Sequence, residues 1–142
     1  MIGSKKATRA ESAHMLACKT GPCIPCLVGV SIGLIDPDHA MGGGDDEDGM
    51  PLEMVTFQHC KSGNMRRGHE EGFGCCIWHH FGTQQLHVLG MSKEAAYERW
   101  GPSLFHQSRE FQQVFGSDDE LIEAQLFVLQ QSAAGGTLSA VS

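Results

Sequence analysis

The chain has no run approaching the ~18 consecutive apolar residues that a membrane span requires. Its opening, MIGSKKATRAESAH, also lacks the apolar block of a secretory signal. A soluble, cytoplasmic protein with no membrane partner is therefore expected. A basic excess is missing too: 10 Lys and Arg stand against 17 Asp and Glu, a formal charge of −7 at pH 7. That balance disfavours a strong unaided grip on nucleic acid, which needs a basic face to neutralise phosphates. Four of the acids, Asp45 to Asp48, fall in the single stretch GGGDDEDG, so the rest of the chain is less acidic than the total suggests. No internal repeat is present, which removes repeat arrays. With 142 residues, 41 % hydrophobic and 19 % charged, the chain suits one folded domain and not full-length disorder, collagen or coiled coil.

Metal-ligating side chains are abundant, with six cysteines and eight histidines. In a reducing compartment such cysteines serve as ligands or free thiols more often than as disulfides. Cys23-x-x-Cys26, followed some fifty residues later by Cys76-x-x-His79, makes two ligand pairs of knuckle spacing, as tetrahedral zinc requires. Two other readings of the cysteine pair are a dithiol redox motif and plain packing. The redox reading needs a βαβ context with the motif at a helix N-terminus, which Pro25 in a loop leading into strands would not supply.

Residues 8–19 read as a helix, with Thr8 and Glu11 at capping-box spacing and an end at Gly21-Pro22. The run LVGVSIGLI after Cys26 reads as one or two short strands. Residues 36–51 carry Pro, Gly and the acid block, the pattern of an exposed loop. Residues 52–60 alternate, so a strand would send Val55, Phe57 and His59 to one face. A turn-rich 61–74 holds Lys61, Arg66 and Arg67. A helix is expected to begin at Cys75 and stop at Gly82. Helices then follow over SKEAAYERWG and PSLFHQSREFQQVFG, the second with Leu104, Phe105, Phe111 and Phe115 inward. The last helix, capped by Ser117 or Asp118, would bury Leu121, Ile122, Leu126 and Leu129.

His59 at a strand end, His69 in the connection and His80 beside the zinc half-site would gather imidazoles around a phosphate. A neutral histidine can take a proton from water near neutral pH, while a divalent cation stabilises the leaving oxygen. His14, His39, His87 and His106 read as structural. His79 and His80, adjacent on a helix, point about 100° apart, so one can face zinc and the other a cleft; spacing alone does not say which.

The segments Pro22-Cys-Ile-Pro-Cys26, His59-Cys-Lys-Ser-Gly63, Arg66-Arg-Gly-His69, Cys76-Ile-Trp-His-His-Phe-Gly82, Gly101-Pro-Ser-Leu104 and Phe115-Gly-Ser-Asp-Asp-Glu-Leu121 occur in one order across about residues 14–130. Together they resemble the ββα-metal, or HNH, nucleases, and within them the phage-encoded Ref family of RecA-dependent recombination nucleases. The resemblance implies an α+β fold: a small zinc-stabilised, treble-clef-like ββα-metal core with an N-terminal helix and C-terminal helices. It implies an arm and helix over 1–22, the nuclease core over 23–116 with 36–51 as an inserted loop, a C-terminal helix over 117–131, and a flexible tail over 132–142. It further implies His59 as general base and His80 as ligand of a catalytic Mg²⁺ or Mn²⁺. Cys23, Cys26, Cys76 and His79 would form the structural zinc set, with His69 a further ligand or phosphate-orienting group. Lys61, Arg66 and Arg67 would meet DNA phosphates, and a RecA filament would supply affinity that the acidic chain lacks. The sequence departs from the pattern at Gln58, where relatives carry a histidine or an acid and where an amide oxygen would replace a metal ligand. It departs again before Cys76, where no asparagine stands close and His69, Glu71 or Asn64 would substitute. A zinc-stabilised binding module without catalysis is the alternative function, and a dithiol oxidoreductase the third.

Overall fold

The computed structural model describes residues 7–42, 54–62, 65–66, 71–83 and 90–135. Among them the elements run α1 (Arg9–Thr20), α2 (Ile24–Ser31), a 3₁₀ turn (Pro37–His39), β1 (Val55–His59), β2 (Lys61–Ser62), β3 (Met65–Arg66), β4 (Gly72–Cys76), α3 (Ile77–Phe81), α4 (Lys93–Trp100), α5 (Ser108–Phe115) and α6 (Asp118–Gly135). The architecture is mixed α+β, with helices packed round small sheets.

The capping box that starts α1 is complete: Glu11 N–H donates to Thr8 Oγ1, and Thr8 N–H to Glu11 Oε1, satisfying two otherwise orphaned donors. β1 pairs antiparallel with β4, Val55 opposite Cys76 and His59 opposite Gly72. The alternation expected of β1 holds, with Val55 and Phe57 buried. Gly74 lets α1 close on β4, since a Cβ there would lie 2.8 Å from the Cys18 carbonyl and 3.2 Å from that of Pro22. The other edge of β4 meets α6, where Gln125 Oε1 accepts the Gly74 N–H at 2.7 Å. A side chain thus does the work of a third strand.

Several expectations need correction. The apolar run after Cys26 is not strand: Ile24–Ser31 is helical, with Cys23 as its N-cap and Pro25 in the first turn. Proline's fixed φ suits a first helical turn, so local backbone chemistry overrides the β-branched composition of the residues that follow. Gly29 then lets Ile35 and Phe115 pack against the helix. The Cys75 start is also wrong, because Gly72–Cys76 is a strand and the helix begins at Ile77. Gly82, at φ +69°, ends that helix as expected.

The helix proposed over 102–116 is confined to Ser108–Phe115. Phe111 and Phe115 are buried, but Phe105 precedes the helix and is 71 % exposed. In α6 the buried stripe is Leu121, Ile122, Gln125 and Val128, while Leu126 is 41 % exposed; the helix faces β4 through an amide and not through that leucine. Ser117 caps α6 reciprocally with Glu120. The helix extends to Gly135, into the stretch read as a tail; the rest of that tail, most of the acidic loop and His87 lie outside the described residues. No helix among the described residues is long and apolar enough to cross a membrane.

The core joins Trp78, Trp100, Phe73, Phe111, Ile24 and Leu121, all below 2 % exposure. Both indoles find acceptors: Trp78 Nε1–H donates to the Gly101 carbonyl at 2.8 Å and Trp100 Nε1–H to that of His39 at 2.7 Å. Buried ring donors are thereby satisfied, and α4 is tied to both α3 and the 3₁₀ turn.

Candidate functional site

Four buried side chains converge where α2, β4 and α3 meet. Cys23 is the N-cap of α2 and Cys26 lies in its first turn, Cys76 closes β4 and caps α3, and His79 lies one turn into α3. Their ligand atoms all lie within 4.8 Å of one another. His79 Nδ1 stands 3.5 Å from Cys23 Sγ, 3.6 Å from Cys26 Sγ and 3.3 Å from Cys76 Sγ. A tetrahedral zinc with ordinary Zn–S and Zn–N bonds sets a sulfur-to-nitrogen edge of ~3.6 Å, so the donor set fits zinc in type and in spacing. These four residues could hold a structural zinc, and the histidine that joins the sulfurs is His79, not His80.

The electrostatics point the same way. Burial pushes the Cys23 thiol well up, and Cys26 is pushed up by the neighbouring Cys23 and Cys76 sulfurs and then by burial. Against its own burial, Cys76 is drawn well below the usual thiol range by Cys23, Cys26 and His79. One thiolate is thus favoured, whereas three can coexist only with a cation among them. The Cys76 backbone N–H donates to Cys23 Sγ at 3.1 Å. The outer nitrogen of His79, Nε2, lies 2.7 Å from the Trp100 carbonyl oxygen; a carbonyl only accepts, so Nε2 carries the proton and Nδ1 presents its lone pair to the sulfurs. Phe111 and Phe115 meet the His79 ring edge-on at 6.1 and 5.0 Å. The cysteine pair does stand at a helix N-terminus, contrary to the loop expected from sequence. What distinguishes it from a redox pair is that Cys76 and His79 complete the polyhedron.

His80, on the same short helix, turns elsewhere. Its Nδ1 lies 2.6 Å from Thr56 Oγ1 on β1, and its ring stacks on Phe81 at 4.0 Å and 15°. Burial, and then the charge of nearby His59, lower its pKa to about 4, with Cys76 acting in the opposite sense. The two imidazoles therefore lie within electrostatic reach of each other. His59 ends β1, half-buried, and meets Phe57 edge-on at 5.0 Å; His14 meets the same phenyl at 6.0 Å. Gln58 donates its amide N–H to the His59 carbonyl at 3.0 Å.

Lys61 and Arg66 stand opposite each other across the β2–β3 ribbon, whereas Arg67 and His69 lie outside the described residues. His106 packs on Trp78 at 5.9 Å and lies 2.9 Å from the Gly82 carbonyl through Nε2; His39 accepts the Trp100 indole through its carbonyl. Sequence reasoning missed Thr56, Gln125 and the Trp100 carbonyl. Thr56 was visible only as the residue between two inward positions of β1, and a backbone carbonyl leaves no trace in a residue pattern.

Fold and site define a small α+β protein assembled round a buried cluster of three cysteines and one histidine able to hold zinc. A family model described as recombination enhancement, RecA-dependent nuclease, matches residues 7–130, and the chain belongs to that family. Comparison with curated proteins and with solved structures gave no match.

Proposed function

We propose that the chain is an HNH-type, metal-dependent DNA endonuclease that acts with a RecA filament in recombination, in the cytoplasm of a bacterial host as a phage- or prophage-encoded protein. The observation that carries this reading is the pair His59 and His80 beside the sulfur cluster: His59 ends β1, and His80 on α3 meets Thr56 of that same strand at 2.6 Å. In this reading His59 accepts a proton from water as the oxygen attacks phosphorus; one P–O ester bond breaks, and its oxygen takes a proton from solvent and leaves as the alcohol. A divalent cation, Mn²⁺ or Mg²⁺, would supply charge stabilisation on the phosphate and the leaving oxygen when bound. His80 would hold it, with His69 as a further ligand. Gln58 donates its amide N–H to the His59 carbonyl, so its amide oxygen is the atom that would ligate the cation. Lys61, Arg66 and Arg67 meet backbone phosphates; Lys61 and Arg66 belong to the short β2–β3 ribbon that follows His59 after Cys60.

Gln58, in place of a stronger ligand, and the net charge of −7 favour a second reading, a zinc-stabilised module that binds DNA or a DNA-bound partner without cutting. Cleavage of labelled single- and double-stranded DNA with Mn²⁺ or Mg²⁺, with and without RecA and ATP, separates the two. Cutting by the wild type and not by a folded, zinc-loaded His59→Ala protein establishes the nuclease. Absence of cutting in every lane, from folded protein, establishes the module.

A further inference from the structure

Thr56 is the second residue of β1, opposite Cys75 of β4. Its hydroxyl oxygen makes two short contacts, 3.0 Å to the Cys75 carbonyl oxygen and 2.6 Å to His80 Nδ1. A hydroxyl has one proton, a carbonyl only accepts, and an imidazole nitrogen does either according to tautomer. Were the proton directed at the imidazole, two oxygens would face each other at 3.0 Å with no hydrogen between them. Both contacts are favourable in one arrangement alone: Oγ1–H donates to the carbonyl, and Oγ1 accepts from His80 Nδ1–H.

We infer that Thr56 is a positioning residue that locks neutral His80 in its Nδ1–H tautomer, so that Nε2 carries the lone pair. Neutral histidine in water favours the opposite tautomer, with the proton on Nε2, so the protein is working against the intrinsic preference. Nε2 is then the only ring nitrogen able to bind a cation or take a proton. The stacked Phe81 ring holds the imidazole plane, so Thr56 and Phe81 fix rotation and tautomer together. Neighbouring His79 is set the other way by the Trp100 carbonyl, with Nε2–H outward and Nδ1 as donor. Two adjacent histidines therefore present different nitrogens, each selected by one oxygen. The use of the lock, orienting a ligand of the catalytic cation, rests on the function proposed above; the lock itself does not.

The test is long-range ¹H–¹⁵N correlation on zinc-loaded, ¹⁵N-histidine-labelled protein at neutral pH, with the His80 signals assigned by their loss in His80→Gln. The wild type and Thr56→Ser should show a protonated Nδ1 and an unprotonated Nε2, and Thr56→Val, which keeps the shape and loses the acceptor, should shift toward the Nε2–H form. Mn²⁺ titration followed by paramagnetic broadening of His80 should weaken roughly 10–100-fold in Thr56→Val and recover in Thr56→Ser, the range found when partners behind metal ligands are removed. An Nε2–H form in the wild type overturns the inference, and so does an Nδ1–H form that persists in Thr56→Val. If Thr56→Val fails to fold, the wild-type and Thr56→Ser tautomers decide. The expected tautomers without any Mn²⁺ effect at His80 support the lock and overturn the metal-ligand role instead.

Discussion

His79 and His80 are neighbours on a five-residue helix, yet they belong to two different regions. His79 is fully buried among three sulfurs and two phenyl rings, and its region closes on itself. His80 is half-buried against Thr56 and Phe81, and its region opens toward His59. About 100° of helical rotation separates them, and that rotation divides the part of the molecule that holds the fold from the part available for chemistry. Substituting each in turn should break the two regions differently. His79→Ala removes one of the four side chains that could hold zinc and leaves buried sulfurs without a fourth partner. Since structural zinc supplies about 10–16 kcal/mol in small zinc domains, as large as the usual 5–15 kcal/mol of net stability, we expect loss of bound zinc and of cooperative unfolding. Metal analysis and thermal denaturation check this, and strong chelators should act in the same way on the wild type. His80→Ala should retain zinc and a cooperative transition while losing cation-dependent DNA cleavage. If both variants kept their zinc, His79 would not belong to the metal set.

A middle-sized effect sharpens the boundary between the two regions. Gln125 accepts the Gly74 N–H on the edge of β4 away from β1, so it supports the strand that delivers Cys76 to the sulfur side and backs Thr56 on the histidine side. Gln125→Ala leaves a buried donor unsatisfied, which costs about 1–3 kcal/mol, and adds a cavity. Denaturant titration should show a lower midpoint with a cooperative transition and intact zinc stoichiometry. An unchanged midpoint would mean that water or a rearranged α6 replaces the amide.

The sulfur region was legible in the sequence because its ligands are rare residue types in fixed local pairs: Cys23-x-x-Cys26 and Cys76-x-x-His79 need only a turn of backbone each to converge. Even so, the sequence left His79 and His80 interchangeable, since the choice depends on where α3 begins. The strand ends at Cys76 and not before Cys75, because β4 pairs through to Val55, a long-range fact. The histidine region was less legible. His59 stood out from the alternation of Val55 and Phe57, but Thr56 and Gln125 act through single hydrogen bonds across elements distant in sequence, and neither residue type advertises that. The strand expected after Cys26 failed for a related reason. Val28, Val30 and Ile32 carry β propensity, which expresses a fit to a half-buried sheet surface, but β4 is occupied by β1 on one edge and by Gln125 on the other.

The smallest expected effect separates the regions by pH. Burial and the His59 charge depress His80 to about 4 in the folded chain, against roughly 6.5 for an unperturbed histidine. Between those values the unfolded chain binds a proton at this position that the folded chain refuses, so stability must fall as pH drops through the window and be unaffected above it. Comparing wild type with His80→Gln cancels the terms they share, including acid release of zinc from the sulfur side. The wild type should lose ground relative to the variant between pH 6.5 and pH 4, and the difference should be flat from pH 7 to 8, read as a divergence of the two Tm curves. Partial exposure of the ring screens the effect, which keeps the divergence to a few degrees. Curves that stayed parallel throughout would place His80 in a site that water reaches freely, and the contrast with buried His79 would then be one of geometry alone.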